Sequence, residues 1–403
     1  MKKSLALLVA LCLILACAAC GAKPVAPAAT PTPADPANTA EAPADEPGLD
    51  TDNPIYIGLL DAMTGDRAMS GMYAKEGAEM YVEYINANGG VLGRELVVVY
   101  EDDQGNETVA TNAFQKITSE YDLSGIVLNK YSSVVLAMEE FLKDEGIPGI
   151  ACGSSVKIAD SVNPYLYSTR KSDYGAGESV ANAGANLLDM TKVAILHAPD
   201  ALGTGMAPVV ERVLKEKGVE VVSIQQFSAD EKNFAPYIAK MINSGCDGIV
   251  AIAQQTEAAL IMSAVADAGL DIPCIGSSAF CQQTAINNAG EACNGWYSVT
   301  SWSPTVSEDP AASWVKDYTA KYDHAPDMSS VLSYDALAIF AWAIEECGSD
   351  DPDAINAQIA KLSGFKGLAA TYSFSEGTRM LADTEFLTVI ENMESRVVEV
   401  IEG

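Results

Sequence analysis

The chain has 403 residues, enough for two or three domains at ~150 residues each, and carries 55 acidic against 24 basic side chains, a net charge of -31. That balance repels nucleic acid and anionic membrane surfaces, so neither is expected as a partner. Hydrophobic residues make up 49%, too many for a disordered chain, and two histidines, His197 and His324, leave little material for a metal site, so no cofactor is expected.

Lys2 and Lys3 precede an apolar run from Leu5 to Ala19. The run is short for a bilayer span, which needs ~20 residues, and has the form of an export signal. It ends in Ala18-Ala19-Cys20-Gly21, which resembles the lipobox of bacterial lipoproteins and implies lipid attachment at Cys20. Cys17 stands where that motif usually has Leu and is itself a weaker competing site; plain secretory cleavage near Ala19 is the alternative. Residues 21–53 follow as a tether. Pro24, Pro27, Pro31, Pro33, Pro36, Pro43 and Pro47 favour extended polyproline, and the stretch has no aromatic residue to seed a core.

From Pro54 onward strands and helices alternate. Strands are predicted at Ile55 to Leu60, Leu96 to Tyr100, Gly125 to Leu128, Ile147 to Ala151, Lys192 to His197, Glu220 to Gln225, Gly248 to Ala253 and Pro273 to Gly276. Ile55 to Leu60 is a short apolar run, as strands covered on both faces are. Helices are predicted at Gly71 to Ala87, Thr108 to Glu120, Ser133 to Glu145, Gly177 to Leu188, Ala207 to Lys217, Asn233 to Ser244, Glu257 to Ala268 and Val331 to Cys347. Such alternation means parallel sheets with helices on both faces. With ~350 residues to accommodate, two lobes fit better than one.

Several residues also carry a family resemblance. Ile55-Tyr56-Ile57-Gly58, Thr64-Gly65, Gly71, Gly77-Ala78 and Tyr84-Ile85-Asn86-Ala87-Asn88-Gly89-Gly90-Val91-Leu92-Gly93 open the body. Asp102-Asp103, Gly146-Ile147-Pro148, Phe227-Ser228-Ala229 and Ala268-Gly269-Leu270 continue the pattern. Together they resemble the leucine/isoleucine/valine type of periplasmic substrate-binding protein. The resemblance implies the type I α/β fold, two doubly wound parallel-sheet lobes joined by a hinge the chain crosses three times. It places lobe 1 at 54–171 and 301–375 and lobe 2 at 172–300 and 376–403. It implies no enzymatic activity. Instead it implies a monomeric, extracytoplasmic protein that closes on a small-molecule solute and delivers it to the permease of an ABC transporter. Presentation of the solute to a sensor or chemoreceptor is the alternative.

Enzyme motifs fail on inspection. There is no phosphate loop and no Gly-x-Ser-x-Gly elbow. Gly175-Ala176-Gly177 and Gly203-Thr204-Gly205 begin a dinucleotide pattern, but Val180 and Pro208 replace its third Gly, so both are expected to be turns leading into helices. Asp102-Asp103-Gln104-Gly105-Asn106 lacks calcium-loop spacing and is expected as a solvated acidic loop. His197 is expected at the core or rim and His324 in solvent. Cys152 has no nearby His to activate it. Cys152, Cys246, Cys274, Cys281, Cys293 and Cys347 are either disulfide partners or free thiols, and spacing leaves both open.

Two serine pairs point to binding. Tyr131-Ser132-Ser133 and Gly153-Ser154-Ser155 each follow a strand, and ligands of open parallel sheets sit beyond strand carboxyl ends. There, hydroxyls and helix N-termini receive anions, although serine also serves as a plain helix cap. The resemblance implies that Ser132, Ser133, Ser154 and Ser155 grip the carboxylate of the ligand. It aligns Leu202, Gln254, Gln255 and Ser278 with ligand contacts from lobe 2; Tyr131 and Tyr174 are further candidate binding residues, and Tyr174 and Phe280 are expected as walls of the cleft. The acid that commonly pairs with an amino acid's ammonium aligns with Ser277-Ser278-Ala279, which has none; Asp61 or Asp200 would have to replace it.

Overall fold

The structure, a computed structural model, describes residues 49–401. The export signal, Cys20 and the tether as far as residue 48 lie outside the described residues. The first half runs β1 (Asp50–Asp61), α1 (Ala68–Ala87), β2 (Arg94–Asp102), α2 (Glu107–Glu120), β3 (Leu123–Leu128), α3 (Ser132–Glu145), β4 (Gly149–Ala151), α4 (Val156–Ala159) and β5 (Leu166–Ser168). These five strands form a parallel sheet in the order β2-β1-β3-β4-β5. The chain then crosses to α5 (Asp173–Asn186), β6 (Lys192–His197), α6 (Ala201–Glu216), β7 (Glu220–Gln226), α7 (Ala235–Asn243), β8 (Gly248–Ile252), α8 (Gln255–Asp267), β9 (Cys274–Gly276), α9 (Gln283–Ala289) and β10 (Trp296–Thr300). It returns to the first lobe with α10 (Ala311–Tyr322), α11 (Met328–Cys347), α12 (Pro352–Ile359), β11 (Phe365–Lys366) and β12 (Thr371–Tyr372). A third crossing leads to β13 (Glu385–Glu391) and β14 (Glu394–Ile401), which complete the second sheet in the order β14-β13-β10-β9-β8-β6-β7.

Period-two alternation explains the layering. Ile55, Ile57 and Leu59 face α1, α11 and α12 through Ala78, Phe340, Ile344 and Ile355. Leu60, Ile126 and Leu128 face α2 and α3 through Phe114, Val135 and Met138. In the second sheet Ala194, Leu196, Ile249 and Ala251 meet Ile238 and Met262, while Val193, Ile195 and Val250 meet Val180, Val210 and Leu214. Both sheets are therefore covered on both faces, the arrangement expected of strands with no polar face.

Three expectations change. The glycine-rich runs at Gly175 and Gly203 are not turns but lie within α5 and α6, because Ser172 and Asp200 cap those helices further upstream. Gly177 then allows α5 to approach Val209 of α6. The second sheet ends in an antiparallel pair, β13-β14, whose turn at Asn392-Met393 has φ of 55° and 62°. Without the usual Asn-Gly pair, that hairpin leaves little trace in the sequence. The Asp102-Asp103 loop is not a free solvated loop: Asp103 is buried, accepting from Gly105 N at 2.7 Å and from Asn129, and Asp102 accepts from Met63 N at 2.8 Å. It clamps the carboxyl ends of the strands, since two strand-end segments would otherwise leave unpaired amides.

The Ile85–Gly93 element owes its form to two constraints. Asn86 exchanges two 2.9 Å bonds with the backbone of Leu96, extending β2 by a side chain. Gly90 has φ of +72°, and a Cβ there would lie 2.0 Å from Arg94 O. At Gly77 the limit is packing: a Cβ would lie 1.9 Å from Ser330 O of α11. Gly77→Ala is expected to force α1 and α11 apart and cost ~1–3 kcal/mol, read as a lowered urea midpoint with an unchanged slope.

Candidate functional site

The carboxyl ends of both sheets face one another across a narrow cavity with room for about one water molecule. Lobe 1 contributes Lys130 and Ser132 from the β3–α3 junction, Ser154 after β4, Arg170 after β5, and Met328 at the start of α11. Lobe 2 contributes Leu202 after β6, Gln254 after β8, and Ser278, Ala279 and Gln282 after β9. Neighbouring parallel strands thus deliver polar side chains to one place, as the crevice rule for open sheets requires.

Lys130 and Arg170 dominate the chemistry. They are 8% and 7% exposed, and among the described residues neither is ion-paired. Lys130 Nζ donates to Gln282 Oε1 at 2.7 Å. Arg170 donates to Ser278 Oγ and Ser301 Oγ, both at 3.1 Å, and to the Cys152 carbonyl at 3.5 Å. Burial lowers the pKa of both, and Arg170 further disfavours the charge on Lys130. Removing two ions from water costs several kcal/mol apiece unless a counter-charge is supplied.

No carboxylate lines this cavity. Asp200 is committed elsewhere: Oδ1 accepts from Gly203 N at 3.0 Å and Oδ2 from Gln254 at 2.8 Å. Asp61 accepts from Ala62 N at 2.7 Å, and burial, with Asp103 nearby, pushes its carboxyl well above the usual range. Asp327 caps α11 and lines an adjoining cavity with Trp302 and Pro326; its Oδ2 has no hydrogen-bond partner among the described residues.

Of the residues singled out from sequence, Ser132, Ser154, Gln254 and Ser278 meet at the cavity, with Leu202 beside them. Ser133 does not line it, and Ser155 caps α4 by accepting from Lys157 N at 3.2 Å while its own N–H donates to Ser132 Oγ, also at 3.2 Å. Gln255 is buried one step back and bonds Gln282. Tyr131 is buried in the first lobe under the Arg67 guanidinium. Tyr174 is 44% exposed, its hydroxyl 3.4 Å from Asp160. Phe280 stacks on Trp296 in the core of the second lobe and does not wall the cleft. Lys130, Arg170 and Gln282 were missed, although Lys130 and Arg170 each stand two residues beyond a strand. For Lys130 a charge just after an apolar strand was the available signal, whereas β5 is too short to mark Arg170.

The remaining candidates have structural roles. His197 is buried against the Ala198 carbonyl. His324 is not in solvent but half-buried, edge-on to Tyr73 and 3.3 Å from Glu76. Six described cysteines are unpaired, and burial raises the Cys152 thiol to about 12, far from a nucleophile's range. Among the described residues no cluster of His, Cys, Asp and Glu could hold a metal, and no helix is long and apolar enough to cross a membrane.

Two α/β lobes meeting at a shared cleft define a solute-binding protein of the two-lobe kind. Residues 54–392 match the periplasmic binding protein family, and the chain belongs to it, a family of binding proteins rather than enzymes. A Brucella abortus protein named Leu/Ile/Val-binding protein homolog 1 is 23% identical over 331 residues, 80% of this chain and 86% of the relative. The branched-chain amino acid transporter substrate binding protein LivJ of Streptococcus pneumoniae, solved with isoleucine, superposes with a TM-score of 0.82 at 24% identity, covering 87% of this chain and all of that one. A solute binding protein from R. palustris, solved with 4-hydroxybenzoate, gives 0.80 at 18% identity, with 87% and 97% covered.

Burial also sets a pH response. It raises Glu385 to about 7 and Asp173 to about 6. Between the unfolded carboxyl range and these values the folded chain holds protons that the unfolded chain has released, so stability falls as pH rises. The melting temperature is expected to drop between pH 5 and pH 8. Glu385→Gln, which fixes the neutral form beside Ser179, should flatten that drop in scanning calorimetry.

Proposed function

We propose that this chain is the extracytoplasmic receptor of an ABC importer, lipid-anchored at Cys20 on the outer face of the cytoplasmic membrane. It works as a monomer, closing its lobes on a small carboxylate-bearing solute and handing that solute to the permease. One observation carries the reading: Lys130 and Arg170, buried without a counter-ion, face Ser132 and Ser154 where the two lobes meet. Family membership and the bound isoleucine and 4-hydroxybenzoate of the similar structures, each a carboxylate, support it.

The hinge follows from the same groups. The cations belong to the first lobe and its crossing segment, whereas Gln282 and Ser278 come from the second. A carboxylate bound to the cations also reaches the donors of the second lobe only when the lobes are together. Its binding therefore shifts the population toward closure.

Simple aliphatic amino acids fit poorly. No acid lines the cavity to pair with an ammonium, and an unpaired buried ammonium costs several kcal/mol. A thermal-shift panel of amino acids, their 2-oxo and 2-hydroxy analogues, amides and aromatic acids tests the reading. A ligand at ~100 times its dissociation constant adds about 2.7 kcal/mol. Acids should shift the melting point and the corresponding amides should not. Shifts from leucine, isoleucine and valine alone would refute the carboxylate-without-ammonium reading. Ser132→Ala and Lys130→Met should each weaken the winning acid by ~1.5–3 kcal/mol in calorimetric titration.

A further inference from the structure

We infer that the solute is a small dianion, one bearing two carboxylates or a carboxylate and a second anionic oxygen group. This rests on the solute-capture reading above and narrows it. Ser132 and Ser154, at the start of α3 and after β4, already offer hydroxyl donors for one carboxylate. The cavity then adds two basic side chains, Lys130 and Arg170, and no acidic one. One carboxylate cannot neutralise both.

The hydrogen bonds indicate the same number. In the closed cleft each cation is met by its own neutral acceptor from the second lobe, Gln282 Oε1 on Lys130 and Ser278 Oγ on Arg170. Ser278 opens and Gln282 ends the single helical turn after β9, so the two cations are met by separate residues four positions apart. Each retains unused donors: Lys130 makes one bond of a possible three, and Arg170 makes three of five. Gln282 is itself held by Gln255, which fixes the acceptor facing Lys130.

The surrounding acids do not remove this demand. Asp327 and Asp61 are the acidic neighbours of Lys130, and Asp173 and Glu385 those of Arg170. None of the four lines the cavity, and none is ion-paired with either cation. The walls are as restrictive as the charges. Leu202, Ala279 and Met328 are the apolar lining residues, and they would face the hydrocarbon part of the solute.

Calorimetric titration of the full mature chain with malonate, succinate, glutarate and adipate, each against propionate, butyrate, valerate or hexanoate of equal length, tests the inference. At least one diacid should bind on the order of 100-fold more tightly than its monoacid, the ratio two charge-assisted bonds supply. Lys130→Met should abolish that ratio and Lys130→Arg should retain most of it, with circular dichroism confirming that both variants fold. If no diacid binds, or if each binds no better than its monoacid, the inference is overturned. Binding of isoleucine or 4-hydroxybenzoate in that event would leave solute capture standing, whereas no binding by any acid would remove both.

Discussion

Burying a positive charge without a partner is among the most expensive things a fold can do, and this one does it twice in one cavity. Lys130 and Arg170 have only neutral acceptors, and Arg170 lowers the tendency of Lys130 to hold its proton. Such groups persist where the rest of the structure fixes them and where an incoming anion recovers the cost. The lobe arrangement follows from this constraint. Parallel strands β3, β4 and β5 end side by side, so residues two or three positions beyond them must converge. The second sheet presents its own strand ends opposite, and the proposed anion site is complete only when both are present.

Around that site the buried acids form a coherent setting. Asp103 clamps the loop after β2 to Asn129, immediately before Lys130. Asp335 in α11 accepts from Leu368 N at 2.7 Å, Ala369 N at 2.8 Å and Tyr372 Oη at 2.7 Å, which pins the β11–β12 turn to the first lobe. Burial raises the pKa of Asp335 to about 6. These carboxyls do structural work by accepting backbone amides that have no strand partner.

The fold was more legible than the site. Continuous apolar runs such as Val193–Leu196 give their strands directly, because burial on both faces leaves no polar position within them. Three-residue strands such as β5, and the hairpin β13-β14 with its Asn-Met turn, carry too little pattern to be read. At the site, serines were visible because small hydroxyls after strands are a recognisable arrangement, and four of the nine predicted binding positions reach the cavity. Lys130 and Arg170 were overlooked because a lysine or arginine is normally a surface residue. Only their burial, which depends on two segments brought together by the hinge crossings, separates them from solvent-facing charges. Tyr174 and Phe280 show the reverse: near the site in sequence, they point to the surface and to the core.

Closure driven by an anion on Lys130 and Arg170 changes the dimensions of the molecule. Small-angle X-ray scattering measures this directly, using the mature chain alone and saturated with its tightest-binding carboxylate. The account predicts a smaller radius of gyration in the saturated wild-type protein, with Lys130→Met at the same carboxylate concentration remaining at the ligand-free value. An unchanged radius at calorimetrically verified saturation, or equal contraction in the Lys130→Met variant, would contradict it.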